Sequence, residues 1–85
     1  MAKTFFPKAS TFIPFSKNEE YQYKISVGIE YWGGNEDEGY DVLKIQIAHQ
    51  EAVQGRKSPS FPLDTDDFEI VMREAKALYD KYKVK

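Results

Sequence analysis

Hydrophobic and polar positions alternate without a break from Tyr21 to Trp32. Tyr21, Tyr23, Ile25, Val27, Ile29 and Tyr31 fall on one side, and Gln22, Lys24, Ser26, Gly28, Glu30 and Trp32 on the other. A period of two is that of a strand with one buried face. Gly33-Gly34, the acidic run Asn35-Glu36-Asp37-Glu38 and Gly39 supply a turn. Alternation then resumes from Asp41 to His49, with Leu43, Ile45 and Ile47 opposing Val42, Lys44, Gln46 and Ala48. Two such runs joined by a glycine-rich turn predict an antiparallel hairpin. A third strand is predicted from Arg56 to Phe61, entered through a turn at Glu51 to Gly55. Pro59 places it at a sheet edge, since proline has no N–H to give a central ladder, and Pro62 ends the pairing.

The period changes after Pro62. Phe68, Val71, Met72, Ala75, Leu78, Tyr79 and Tyr82 form an apolar stripe at helical spacing, while Asp66, Asp67, Glu69, Arg73, Lys76, Asp80, Lys81 and Lys83 face away. Asp64 is the expected N-cap, with Leu63 and Phe68 closing a hydrophobic staple across it, so the helix is expected over 64–83. Acids lead and bases trail along it, the order the helix dipole favours. The Phe-rich first fifteen residues are interrupted by Pro7 and Pro14 and read as part of an extended arm over 1–20, with at most a short strand at 11–15. The expected fold is therefore one α+β domain: a curved antiparallel sheet of three to four strands, over 21–63, packed on one C-terminal α-helix.

A chain of 85 residues buries a smaller share of its surface than a large domain, which predicts a thin core and favours a homodimer. The absence of cysteine excludes a disulfide framework, thiolate zinc sites and a cysteine nucleophile, and points to an intracellular, cytoplasmic setting. No apolar run approaches the ~20 residues of a spanning helix, and the start at Met1-Ala2-Lys3 has no long apolar stretch of a secretion signal. The formal net charge of −2 says nothing about how charge is shared between two faces. Lys3, Lys8, Lys17, Lys24, Lys44, Arg56 and Lys57 precede the helix, whereas the acids gather in the hairpin turn and around the helix start.

One helix covers one side of a sheet. The side left open is expected to carry Lys24, Ser26, Gly28, Glu30 and Trp32, then Lys44, Gln46 and Ala48, then Arg56, Ser58 and Ser60. An open antiparallel sheet ordinarily has one wet face, where such residues need no role. Cations interleaved with an aromatic are also what holds single-stranded nucleic acid, through phosphate neutralisation and base stacking. Trp32 has two destinations, a base or the N-terminal Phe arm.

The order of hairpin, Gly55-Arg56-Lys57 strand, short turn and final helix resembles the transcriptional coactivator family named positive cofactor four. The likeness covers roughly Gln22 to Tyr82 and is carried by Val42-Leu43-Lys44-Ile45-Gln46-Ile47, Gly55-Arg56-Lys57, Ser60-Phe61-Pro62-Leu63 and the acidic helix start with Phe68. The resemblance implies a four-stranded sheet with one helix, dimerisation through the helix and strand edges, and single-stranded DNA bound in grooves on the sheet. Carried over by position, the basic contacts are Lys24, Lys44, Arg56 and Lys57. The chain departs from the family in having His49 and Gln50, rather than an aromatic, near the end of its second long strand. Its aromatic pair Tyr31-Trp32 ends the preceding strand instead, and Pro59 and Pro62 interrupt the Gly-Arg-Lys strand.

Other constellations carry less. Arg56 followed by Pro59 and Pro62 has the spacing of a polyproline ligand, a conformation closed to an embedded strand. Asp64, Asp66 and Asp67 lack the twelve-residue spread and glycine turn of a calcium loop. His49 is the lone histidine, and no triad or phosphate-cradling glycine motif is present. The expectation is a non-enzymatic protein without cofactor that binds single-stranded nucleic acid through Lys24, Trp32, Lys44, Arg56 and Lys57, as a transcription or replication accessory. The alternative is a small protein-interaction module of phage or mobile-element type that docks through the arm Phe5 to Phe15.

Overall fold

The computed structural model describes residues 4–33 and 38–83; Lys3, Gly34 and most of the acidic hairpin turn, Asn35, Glu36 and Asp37, lie outside them. Strands β1 (Phe5–Pro14), β2 (Tyr21–Glu30), β3 (Tyr40–His49) and β4 (Ala52–Val53) form one curved antiparallel sheet in the order β1-β2-β3-β4, followed by helix α1 (Asp67–Tyr82). The arrangement is the α+β fold expected. Among the described residues no helix is long and apolar enough to cross a membrane.

The alternation of β2 and β3 sorts their side chains as the sequence predicts. Tyr23 and Ile25 from β2 and Ile47 from β3 meet Val71 and Ala75 of α1 in the buried cluster, with Ile13, Phe15, Tyr21, Leu43, Ile45, Phe61, Met72 and Leu78 packed around it. Every gain here is the removal of apolar surface from water, on one side of the sheet only.

The N-terminal segment corrects the expected arm. Residues 5–14 are a full edge strand paired with β2, from Phe5 opposite Glu30 to Pro14 opposite Gln22. Pro7 and Pro14 are tolerated because an edge strand has one side free of ladder bonds. The pairing slips between Pro7 and Ala9, so Lys8 is the extra residue of a bulge. The slip reverses the alternation: Phe6, Ala9, Thr11 and Ile13 share the helix side, while Phe5, Pro7, Ser10, Phe12 and Pro14 share the other.

The expected strand at Arg56 to Phe61 is not formed. The last strand is only Ala52–Val53, paired with Ala48 and His49 through a tight turn in which both Gln50 (φ 49°) and Glu51 (φ 68°) adopt left-handed backbone. Positive φ at both central residues is what matches a two-residue turn to strand twist. Gln50 N–H donates to the Glu20 carbonyl (2.8 Å) and Glu51 N–H to the Gln22 side-chain oxygen (2.9 Å), which offsets the strain. Residues 54–66 then run irregularly along the helix side, where Phe61 stacks parallel on Tyr23 at 5.0 Å. Two prolines cannot donate to a ladder, and burying Phe61 on Tyr23 wins over pairing with β3.

The helix start is also displaced. Its N-cap is Asp66, whose side chain makes no capping bond, so Asp64 lies two residues too early to cap and instead pairs with Lys17 at 2.6 Å. Leu63 is fully exposed, so no staple forms; Phe68 packs edge-on against Phe61 instead. Asp67, expected to face water, is buried: its carboxylate accepts from Ser16 N–H and from the Tyr23 hydroxyl, both at 3.2 Å. The Tyr23 hydroxyl is shared with the Ser60 carbonyl at 2.6 Å. Burial, reinforced by the neighbouring Asp67 carboxylate, pushes the Tyr23 phenol well above the usual tyrosine range. This knot ties β2, the 54–66 segment and the helix start together.

Candidate nucleic-acid interface

The pairing registers lay out the uncovered face as rows across β1, β2 and β3: Pro14, Gln22, Ala48; Phe12, Lys24, Gln46; Ser10, Ser26, Lys44; Pro7, Gly28, Val42; Phe5, Glu30, Tyr40. Its middle is built of small residues. Ser26, Gly28 and Ala48 are buried although no helix lies over them, Gly28 directly beneath the Phe6 and Pro7 backbone. Ser10 and Ser26 join hydroxyl to hydroxyl at 2.8 Å, which satisfies the buried hydroxyl of Ser26.

Around that shallow floor stand rings and cations. The Lys24 ammonium lies 5.9 Å from the Phe12 ring centre, and that of Lys44 lies 5.0 Å from Phe5. Both rings come from β1, so the strand misread as an arm supplies one of the three columns of the surface. Such placement holds a flexible lysine over a ring face, where the ring quadrupole attracts the charge, without removing that charge. Lys44 is also bonded to the Glu30 carboxylate. Glu30 in turn accepts from the Trp32 indole N–H at 2.8 Å. The bond from Lys44 first, and that from Trp32 second, hold the Glu30 carboxyl below the usual glutamate range.

That carboxylate fixes the indole at the end of the face. Trp32 is 70% exposed and Tyr40 57%, and their ring centres lie 5.0 Å apart at 41°. Two large rings held by each other and by a hydrogen bond, yet open to water, form a platform whose orientation is set before any ligand arrives. Of Trp32's two destinations, the arm is not the one taken: its ring partner is Tyr40, whereas Phe6 packs edge-on against Tyr31 at 5.9 Å.

Lys24, Lys44 and Trp32 are thus brought together on one face. Arg56 and Lys57 are not: they lie in the irregular 54–66 segment, and the Lys57 ammonium sits 5.4 Å from the ring of Tyr21, a residue of the helix side. Ser58 and Ser60 travel with them. Separation of this pair from Lys24 and Lys44 follows directly from the strand that did not form. Lys8, in the bulge, pairs with Asp41 at 2.9 Å. His49, at the end of β3, rests against Tyr21 at 4.7 Å. Sequence reasoning missed Phe5, Phe12 and Tyr40. The signal for Tyr40 was present, since it continues the even positions Val42, Lys44 and Gln46; the bulge at Lys8 concealed the other two. Among the described residues no group of three or more His, Asp or Glu side chains is placed to hold a metal.

No protein-family model, curated protein or solved structure matches the chain.

Proposed function

We propose that the uncovered sheet face binds single-stranded nucleic acid with little sequence preference. The observation that carries this is the exposed Trp32–Tyr40 platform continuous with the ring-seated ammonium groups of Lys24 and Lys44. Every base has a π face, so stacking on such rings is tolerant of sequence, and phosphate contacts carry no sequence information. Gln46, opposite Lys24 in the pairing of β2 and β3, places an amide beside the cations. The resemblance to the positive cofactor four family implies the same class of ligand. The Phe5 to Phe15 segment, which the competing protein-docking reading needs as a free arm, instead lends Phe5 and Phe12 to this surface.

The two cations set the electrostatic share. Each phosphate neutralised on a single strand contributes a slope of about −0.7 to log affinity against log salt, so Lys24 alone predicts about −0.7, Lys44 raises this to at most about −1.4 because it must first leave Glu30, and a four-cation site predicts about −2.8. Fluorescence anisotropy of a labelled oligothymidine measures it. Trp32→Ala is expected to weaken binding by about 1–3 kcal/mol, the cost of one lost stacking platform. Lys24→Ala should flatten the salt slope by about one phosphate. Arg56→Ala and Lys57→Ala should leave both affinity and slope unchanged. No binding at ~50 mM salt, where electrostatic attraction is strong, would overturn the proposal; so would an affinity governed by Arg56 and Lys57.

A further inference from the structure

The Gly55-Arg56-Lys57-Ser58 motif, displaced from the nucleic-acid face, lines a second feature. On the helix side, the turn after β1 and the 54–66 segment enclose an open recess of about 410 Å³, bordered by Phe15, Asn18, Tyr21, Ile47, Lys57, Ser58 and Ser60. That volume is within the range of small-molecule sites, which are apolar concavities with a few convergent polar groups.

The polar groups share one character. Lys57 has no carboxylate partner among the described residues, its ammonium touching only the Tyr21 ring. The hydroxyls of Ser58 and Ser60 bond to no described residue, and Asn18 uses its side-chain oxygen on Glu20 N–H, leaving its amide nitrogen to donate. A fixed positive charge and three uncommitted donors therefore converge on one space. Phe15, Tyr21 and Ile47 supply an apolar wall beside them, with the Lys57 ammonium over the Tyr21 ring. Of the nearby carboxylates, Asp64 is held by Lys17, Glu19 and Glu20 are exposed and not part of the wall, and Asp67 is buried behind it, its oxygen taken up by Ser16 N–H and the Tyr23 hydroxyl. Charge beside rings selects a ligand that combines an anionic group with a ring.

We infer that this recess binds a small ring-bearing anion, its phosphate or carboxylate group on Lys57, Ser58, Ser60 and Asn18 and its ring against Phe15, Tyr21 and Ile47. The site is independent of the nucleic-acid face, which lies on the other side of the sheet. Adenosine 5′-monophosphate is the probe, followed by amide chemical shifts of the folded protein, with adenosine and inorganic phosphate as separate arms. The expected result is saturable shifts at Asn18, Lys57, Ser58 and Ser60. Adenosine and inorganic phosphate alone should each bind at least tenfold more weakly. Lys57→Glu, a change at an exposed position, should weaken the monophosphate at least about tenfold, as loss of a charge-assisted bond does. Absence of shifts there at ~10 mM ligand, weaker than any useful affinity, overturns the inference. So does Lys57→Glu binding as tightly as the parent, or inorganic phosphate matching the monophosphate. Shifts confined to Trp32, Tyr40 and Lys24 also overturn it, while leaving the sheet-face reading intact.

Discussion

Gly28 sits where β1 crosses β2 at the bulge, opposite Pro7. A Cβ added there would lie 2.3 Å from the Phe6 carbonyl oxygen, 2.7 Å from Pro7 Cα and 2.9 Å from the Phe6 carbonyl carbon. All three are backbone atoms, so no side chain can swing aside; β1 must retreat by about 1 Å to restore ordinary spacing. Overpacking of this kind costs about 1–3 kcal/mol, against which alanine recovers about 0.5–1 kcal/mol of backbone entropy relative to glycine in a strand. Gly28→Ala is therefore expected to destabilise by about 1–2 kcal/mol, which lowers the melting temperature of a domain this size by roughly 5–15 °C. Gly55 is the matched control. Nothing lies within 4 Å of its added Cβ, and its φ is not in the left-handed region. Gly55→Ala should be neutral or stabilising by up to about 1 kcal/mol, through the unfolded chain. Thermal melts followed by circular dichroism give both values. A Gly28→Ala protein that melts with or above the parent would refute the close passage of β1, and with it the placement of Phe5 and Phe12 on the binding face.

Three further outcomes follow from buried or bonded groups. Tyr23→Phe leaves the buried Asp67 carboxylate with Ser16 N–H alone and should cost about 1–3 kcal/mol in urea unfolding; an unchanged midpoint would show that the knot carries no stability. Since the Tyr23 phenol is raised in the folded state, its contribution is complete below the ordinary tyrosine value of 10.0 and lost as pH climbs past it, and Tyr23→Phe should remove that part of the alkaline loss. Glu30 runs the other way: its carboxyl is lowered, so its bonds hold above the ordinary value of 4.5 and fail as pH falls through a lower one. Trp32 emission should titrate with a midpoint below 4.5 and lose that step in Glu30→Gln; a midpoint at or above 4.5 would mean the indole bond is absent in solution.

What could be seen in the sequence depended on whether a local period survived intact. β2, β3 and α1 were legible because their alternation or helical stripe runs unbroken, and those three elements suffice for the α+β class and for Lys24, Lys44 and Trp32 sharing one face. β1 was hidden by one residue: Lys8 shifts the phase, so neither side of 5–14 reads as continuous. The turn into β4 was hidden because Gln50 and Glu51 take left-handed backbone without glycine or asparagine to announce it. Arg56 to Phe61 failed for a tertiary reason, the stacking of Phe61 on Tyr23, that no window of neighbours contains. Asp64 had the right chemistry for a cap, but Asp67 is anchored by Ser16 and Tyr23, residues far away in sequence, and that anchor sets where the helix begins.

Trp32 is the lone tryptophan, so its emission watches the proposed platform directly. Titrating oligothymidine at low salt should quench that emission saturably, shield the indole from a soluble quencher, and lose both effects in Tyr40→Ala together with most of the affinity. Binding detected by anisotropy while Trp32 emission and quencher access stay unchanged would place the nucleic acid elsewhere and contradict the account.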